Sequence, residues 1–233
     1  MHELKFGLTA ASQCSYLPKQ QEQLVFLLPE QPVDAVLYQQ LLQLNFRRSG
    51  DQVYTPYCAA CKACQSVRIN PAAVKYSRSQ RRILNRANNK EWRYQLTAAP
   101  SVDYFPLFSD YINHKHRDGS MYPPSRDQLN AMMQCSWLKV HFLEQYYQQQ
   151  LVAVTVVDET KDAYSAVYTF FHRSAGSFSP GILAILYLLQ CAARDNKQWL
   201  YLGYQIDRCQ KMAYKAGFLP QQRFINGEWC SFG

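Results

Sequence analysis

Three cysteines in the spacing C-x-x-C-x-x-C, Cys58, Cys61 and Cys64, stand just ahead of a dense group of arginines, Arg68, Arg78, Arg81 and Arg82. A C-x-x-C turn offers two thiolates to one metal centre, and a third at the same spacing closes most of a tetrahedral shell. Cys14, in the loop-like stretch SQCSYLP, is a candidate fourth ligand, with a buried free thiol as the competing reading. A sulfur-only donor set suits zinc or an iron–sulfur cluster. The arginines suit an anion, because a guanidinium fork bonds phosphate or carboxylate bidentately.

These groups sit in a chain of 233 residues, long enough for one large domain or two small joined ones. Net charge is +8, which fits a phosphate-rich partner as well as plain solubility. The opening segment MHELKFGLTAASQC has no apolar run of signal-peptide length, and no run elsewhere approaches a membrane span. A cytoplasmic protein is therefore expected, in which eight cysteines serve as ligands, catalytic groups or buried thiols rather than disulfides.

The elements that must hold the chemistry follow from pattern. LVFLL at 24–28 reads as a buried strand, and a helix from Pro32 carries Val33, Leu37, Leu41 and Leu44 on one face. FRRSGD at 46–51 reads as a turn. A strand over 65–70 leaves the cysteine segment. A helix capped by Ser77 or Ser79 then lines up Arg78, Arg82, Arg86 and Lys90, either a phosphate contact or a solvated face. Strand 92–97, helix 104–116 stopped near Gly119 within HKHRDG, and helix 126–134 behind a Ser125/Gln128 capping box come next. His114 and His116 are two apart, so they make a poor metal pair and read as surface or cleft groups.

From there strands at 138–147, 151–158 (LVAVTVVD) and 163–172 form an antiparallel meander. An apolar helix after Pro180, a strand WLYLGY at 199–204 and a short helix 208–216 follow. The class is α+β: an acyltransferase fold like that of the acetyltransferase superfamily over 99–233, behind a smaller cysteine-containing α+β part over 1–98.

The chain resembles the aminoacyl-tRNA–protein transferases, in the bacterial aspartate/glutamate leucyltransferase branch related to eukaryotic arginyl-tRNA–protein transferase. The resemblance rests on CSYLP at 14–18, YTPYCAACKACQSVR at 54–68 and SRSQRR at 77–82. It rests further on LVAVTVVD at 151–158, SAVYTFF at 165–171, SPGILAILYLL at 179–189 and YLGYQIDRCQKMAYKAGFLP at 201–220. Phe218-Leu219-Pro220 departs from it where a basic residue before the proline is expected.

The resemblance implies transfer of an aminoacyl group, leucine in the compact bacterial form, from tRNA to the α-amine of proteins beginning with Asp or Glu, which exposes a destabilising residue for the N-degron pathway. It requires no cofactor for the chemistry. For that chemistry Asp158 at a strand end would steer or deprotonate the amine, with a turn-forming Asp beside Glu159 as the competing reading, and Tyr168 would protonate the leaving ribose oxygen, with a core tyrosine as the competing reading. Tyr204 and Asp207 would lie beside the donor end. Arg68, with Arg81 second, would meet the acceptor's carboxylate, and His114 would face the cleft. Lys211, Tyr214 and Lys215 would contact tRNA phosphates and bases.

Three other readings compete. The first is arginyl rather than leucyl transfer. The second is a CoA-dependent N-acyltransferase, disfavoured because the turn 176–181 (GSFSPG) lacks the closely spaced glycines of a pyrophosphate cradle. The third is an inert metal-containing nucleic-acid-binding module.

Overall fold

The computed structural model describes residues 3–117, 119 and 121–233. In chain order the elements are β1 (Phe6–Leu8), β2 (Ser12–Gln13), β3 (Gln21–Glu22), β4 (Leu24–Leu27), α1 (Ala35–Gln43), β5 (Arg47–Ser49), β6 (Gln52–Pro56), β7 (Gln65–Ile69), α2 (Arg78–Asn88) and β8 (Trp92–Thr97). Then come α3 (Phe105–Lys115), α4 (Arg126–Met133), β9 (Lys139–Tyr147), β10 (Gln150–Glu159), β11 (Ala163–Phe171), α5 (Pro180–Arg194), β12 (Trp199–Gln205), β13 (Gln221–Ile225) and β14 (Glu228–Phe232). Two 3-10 segments, Arg173–Phe178 and Gln210–Gly217, precede α5 and follow β12.

Local chemistry accounts for most boundaries. Ser77 and Ser125 each cap a helix reciprocally with a glutamine three residues on, Gln80 and Gln128. Asp34 accepts from the Leu37 amide and starts α1. The face of α1 that is buried is Tyr38, Leu41 and Leu42, while Leu44 of the expected face is 58% exposed. Asp118, within the expected HKHRDG stop of α3, lies outside the described residues. The hairpin β13–β14 turns on Asn226-Gly227, both at positive φ, the pairing that type I′ turns require.

The α+β class expected from pattern is the one found. An eight-stranded sheet runs β14-β13-β7-β12-β11-β10-β9-β8, and a four-stranded one runs β1-β4-β6-β5. All pairs are antiparallel except β11 with β12, which α5 connects. Strands β7 and β8 lie before residue 98, yet they belong to the same sheet as β9–β14. The parts 1–98 and 99–233 thus share one sheet.

One face of that sheet packs on α2 and α5 through Val67, Ile69, Leu183, Leu186, Leu200 and Leu202. Elsewhere Phe108 and Ile112 of α3 and Leu129 of α4 cluster with Phe142, Val154, Val156 and Phe170. The small sheet and α1 add a third cluster, Leu27, Tyr38, Leu42 and Val53 against Leu138, Ala163 and Tyr201.

The segment read as a turn at 46–51 is strand β5, and its two arginines are buried: Arg47 is 6% and Arg48 3% exposed. Arg48 forks onto one carboxylate oxygen of Asp158 in β10, through Nε at 2.8 Å and through a second nitrogen. Its remaining donors reach the carbonyls of Gly50, Met132 and Gln134. Tyr38 donates to the other Asp158 oxygen at 3.1 Å. Burial pushes the Asp158 pKa up, and the Arg48 fork opposes that push.

Asp158→Asn keeps the shape of this contact but leaves the Arg48 cation without a counter-charge. The expected loss is about 3–5 kcal/mol in urea unfolding. A loss under about 1 kcal/mol, the range of exposed pairs, would show that solvent screens the pair.

Candidate active site

Strands β11 and β12 pair in parallel over three positions only, Ala163↔Trp199, Tyr164↔Leu200 and Ser165↔Tyr201. Both strands continue past that ladder, β11 to Phe171 and β12 to Gln205, so they diverge into a fork. Each arm is bent by an irregularity. The β10–β11 register shifts between Val156 and Val157, and the β12–β7 register shifts between Tyr201 and Gly203. Gly203 sits at φ +74, which only glycine adopts without strain. A fork of this kind exposes strand edges that can seat an extended donor.

Tyr168 stands on the β11 arm. Its hydroxyl is buried with no hydrogen-bond partner, and burial raises its pKa, with Tyr111 and Tyr16 adding to the rise. Of the four expected catalytic groups it is the one with a buried hydroxyl left unused. Tyr204, on the β12 arm, donates to the Asn45 carbonyl at 2.8 Å, and burial raises its pKa as well. Tyr214 is 44% exposed and lies within Coulombic reach of Tyr111, which joins it to the Tyr168 side of the fork.

Other expected groups have different work. Asp158 holds Arg48 and Tyr38 and is 1% exposed, so it is not available to an incoming amine. Asp207 is an exposed carboxylate paired with Arg223 at 2.9 Å. Arg68 is sandwiched between Trp199 and Trp229, 4.0 and 3.9 Å from the ring centroids, and donates to Gln222. The two rings fix the plane of its guanidinium. Arg81 is exposed and donates to the Tyr76 carbonyl. The α2 stripe of Arg78, Arg82, Arg86 and Lys90 is exposed.

His114 lies against Asp110 at 3.3 Å and Arg173 at 3.1 Å, at the rim formed by α3 and the first 3-10 segment. Lys211 is exposed on the second 3-10 segment. Lys215 of the same segment is turned inward: 8% exposed, it donates to the Tyr204 carbonyl. Burial first and Arg47 second lower its pKa, Cys209 opposes them, and the result is about 7. A side chain expected to meet phosphate is thus buried behind the β12 arm. The tighter winding of a 3-10 segment moves residues to faces that α-helical spacing does not foresee.

The cysteine expectation concerns a patch beside this fork. Cys58 and Cys61 form a turn in which the Cys61 amide donates to the Cys58 carbonyl at 3.4 Å. The Cys64 thiol is pushed up to about 12 by burial first, then by its neighbours Cys58, Cys14 and Cys61. The four thiols therefore converge. Among the described residues no three His, Cys, Asp or Glu side chains stand at the spacing that holds a metal ion. The four thiols fit a thiophilic metal in kind only. Cys64 also lies within Coulombic reach of Tyr16, Tyr54 and Tyr204, so the patch forms a wall of the fork.

Sequence reasoning missed Arg47. Its Nε and one terminal nitrogen are buried without any hydrogen-bond partner, and the third nitrogen donates to the Phe46 carbonyl at 2.6 Å. Its guanidinium lies over the rings of Tyr201 and Tyr204, 5.1 and 5.5 Å from their centroids. Two adjacent arginines in a turn-like context carried no sign that both would be buried.

The N-terminal family model, described as arginine-tRNA-protein transferase, N terminus, matches residues 12–82, and its C-terminal counterpart matches 103–225. A protein of Aeromonas hydrophila named aspartate/glutamate leucyltransferase is 43% identical over 226 residues, covering 97% of this chain and 94% of that one. One of the same name from Pseudoalteromonas atlantica is 43% identical over 97% and 96%. Among solved structures, the DUF2156 C-terminal domain from Agrobacterium fabrum gives a TM-score of 0.51 at 12% identity, covering 85% of this chain and 64% of that one, a likeness of fold alone. With both family models matched in order and relatives aligned almost end to end, the chain belongs to the arginine-tRNA-protein transferase family.

Proposed function

We propose that the protein moves leucine from tRNA to the α-amine of proteins whose first residue is Asp or Glu. The carrying observation is the full-length match to relatives named aspartate/glutamate leucyltransferase. Arginyl transfer is the second reading, favoured by the printed description of the family models. A CoA donor fits poorly. Ahead of α5 the chain forms a 3-10 turn, and Pro180 removes one of the amides a pyrophosphate cradle needs.

The donor is an activated ester and the nucleophile an amine of pKa about 8, so positioning and proton handling are the main tasks. The neutral amine adds to the ester carbonyl, a C–N bond forms and the C–O bond to ribose breaks. The proton released by nitrogen ends on the ribose oxygen. The unused Tyr168 hydroxyl is suited to pass that proton. Cys14, Cys58, Cys61 and Cys64 would hold zinc or an iron–sulfur cluster as a clamp on the cleft wall, where it supplies rigidity.

The exposed α2 stripe, with Lys211 and Tyr214, would follow tRNA phosphates and bases. No described helix is long and apolar enough to cross a membrane. A tRNA donor would place the reaction in the cytoplasm, and the product would enter N-degron degradation there.

Labelled Leu-tRNA incubated with peptides beginning Asp, Glu or Ala is expected to label the first two and spare the third. Transfer from Arg-tRNA alone would replace leucine by arginine, and transfer to none would end the proposal. Tyr168→Phe is expected to lower kcat about 100-fold with KM for the peptide little changed; an unchanged kcat removes the hydroxyl from proton transfer.

Lys215 leaves a mark on stability. Its folded pKa, about 7, lies below the ordinary 10.5, so the unfolded chain binds more protons between those values. Wild-type stability should therefore rise relative to Lys215→Met as pH climbs from 7 to 9, by up to about 1.4 kcal/mol per pH unit. Parallel pH curves from urea unfolding of the two proteins would show that Lys215 titrates normally.

A further inference from the structure

The buried polar groups at the base of the fork carry a surplus of positive charge. Arg47, Arg48 and Lys215 are all under one-tenth exposed. The carboxylate paired with Arg48, Asp158, has its oxygens taken by Arg48 and Tyr38. Arg47 is left with two buried, unpartnered nitrogens. An uncompensated buried cation is expensive to keep, and a fork with two free donors matches a carboxylate or phosphate. Ser66, opposite Tyr204 in the β7–β12 ladder, adds a buried hydroxyl that also lacks a partner.

We propose that Arg47 reads the acidic side chain of the acceptor's first residue, its two free nitrogens taking the carboxylate with Ser66 as an added donor. This rests on the acceptor assignment made above. Depth selects the ligand. A phosphodiester carries a sugar on each side and cannot follow into a site floored by Tyr201 and Tyr204, whereas a carboxylate on one or two methylenes can. The free nitrogens have no accessible surface, so the anion displaces a cover. Tyr54 faces Arg47 in the β5–β6 ladder, and Tyr16, 45% exposed, lies within Coulombic reach of Tyr54. A rotation of the Tyr16 side chain is the motion this proposal requires. Of the other two arginines expected in this role, Arg68 is stacked between Trp199 and Trp229 and Arg81 is exposed and donates to the Tyr76 carbonyl, so neither carries buried unpartnered nitrogens as Arg47 does.

The test compares Arg47→Gln, which removes the charge, with Arg47→Lys, which keeps it and loses the fork. Binding of end-labelled peptides beginning Asp or Asn is measured by fluorescence anisotropy with uncharged tRNA present, and tRNA affinity is measured by filter binding. The expected result is a wild-type preference for Asp over Asn that falls about 10- to 100-fold in Arg47→Gln and part of the way in Arg47→Lys, with tRNA affinity unchanged. A preference retained in Arg47→Gln overturns the proposal; should that variant not fold, a preference retained in Arg47→Lys does the same. A loss of tRNA affinity with the peptide preference intact also overturns it, assigning Arg47 to phosphate. Transfer is assayed in parallel. Arg47-dependent preference without transfer ends the proposed reaction and keeps this site, and transfer with a preference indifferent to Arg47 does the reverse.

Discussion

The contact between Arg48 and Asp158 ties the two sheets together. It joins β5 of the small sheet to β10 of the large one, 110 positions apart in sequence. Tyr38 of α1 closes the other side of the carboxylate, so one ionised group gathers three elements. Successive side chains on a strand point to opposite faces. With Arg48 turned to Asp158, its neighbour Arg47 turns to Tyr201 and Tyr204 on the β12 arm. A strand three residues long thus delivers one arginine to the framework and the other to the cleft.

The large sheet sets the complementary constraint. α5 carries the chain from β11 to β12, and a crossover of this kind forces the two strands parallel. Their ladder then breaks after three positions. On one side Tyr168 keeps an uncommitted hydroxyl. On the other, Gly203 at positive φ lies in contact range of the Lys215 amine, where a Cβ would stand 3.7 Å from Nζ. Strand β7, entering between β12 and β13, carries the chain directly from the cysteine turn to this arm, which explains why Cys64 senses Tyr16, Tyr54 and Tyr204.

The sequence makes the apolar framework readable because burial and periodicity coincide there. LVAVTVVD became β10, and the capping boxes at Ser77 and Ser125 formed where their spacing placed them. The family was readable too, from long joint matches. The polar interior was not. Arg47 and Arg48 have the composition of a solvated turn, and no local signal distinguishes an exposed arginine from one paired 110 residues away. Asp158 looked like a base because it ends a strand, but its partner depends on tertiary register. Lys215 looked like a surface cation because helical spacing was assumed where the chain winds as a 3-10 segment. Asn226-Gly227, by contrast, is a hairpin signal legible from sequence alone, since both residues tolerate the positive φ the turn requires.

Under the proposed function one basic protein must tell two anionic partners apart, and burial would separate them physically. The α2 stripe is exposed, so its attraction is long-ranged, weak per contact and screened by salt, which suits a polyanion that spans many charges. Arg47 is enclosed by aromatic rings where screening is poor, which suits a single carboxylate recognised at short range. An RNA backbone has the reach for the first and not the shape for the second. A peptide's first side chain has the shape for the second and too little charge to gain much from the first. The same element type, arginine, would therefore serve both proposed partners without confusion, because the fold places one set at the surface and buries the other against Tyr201 and Tyr204.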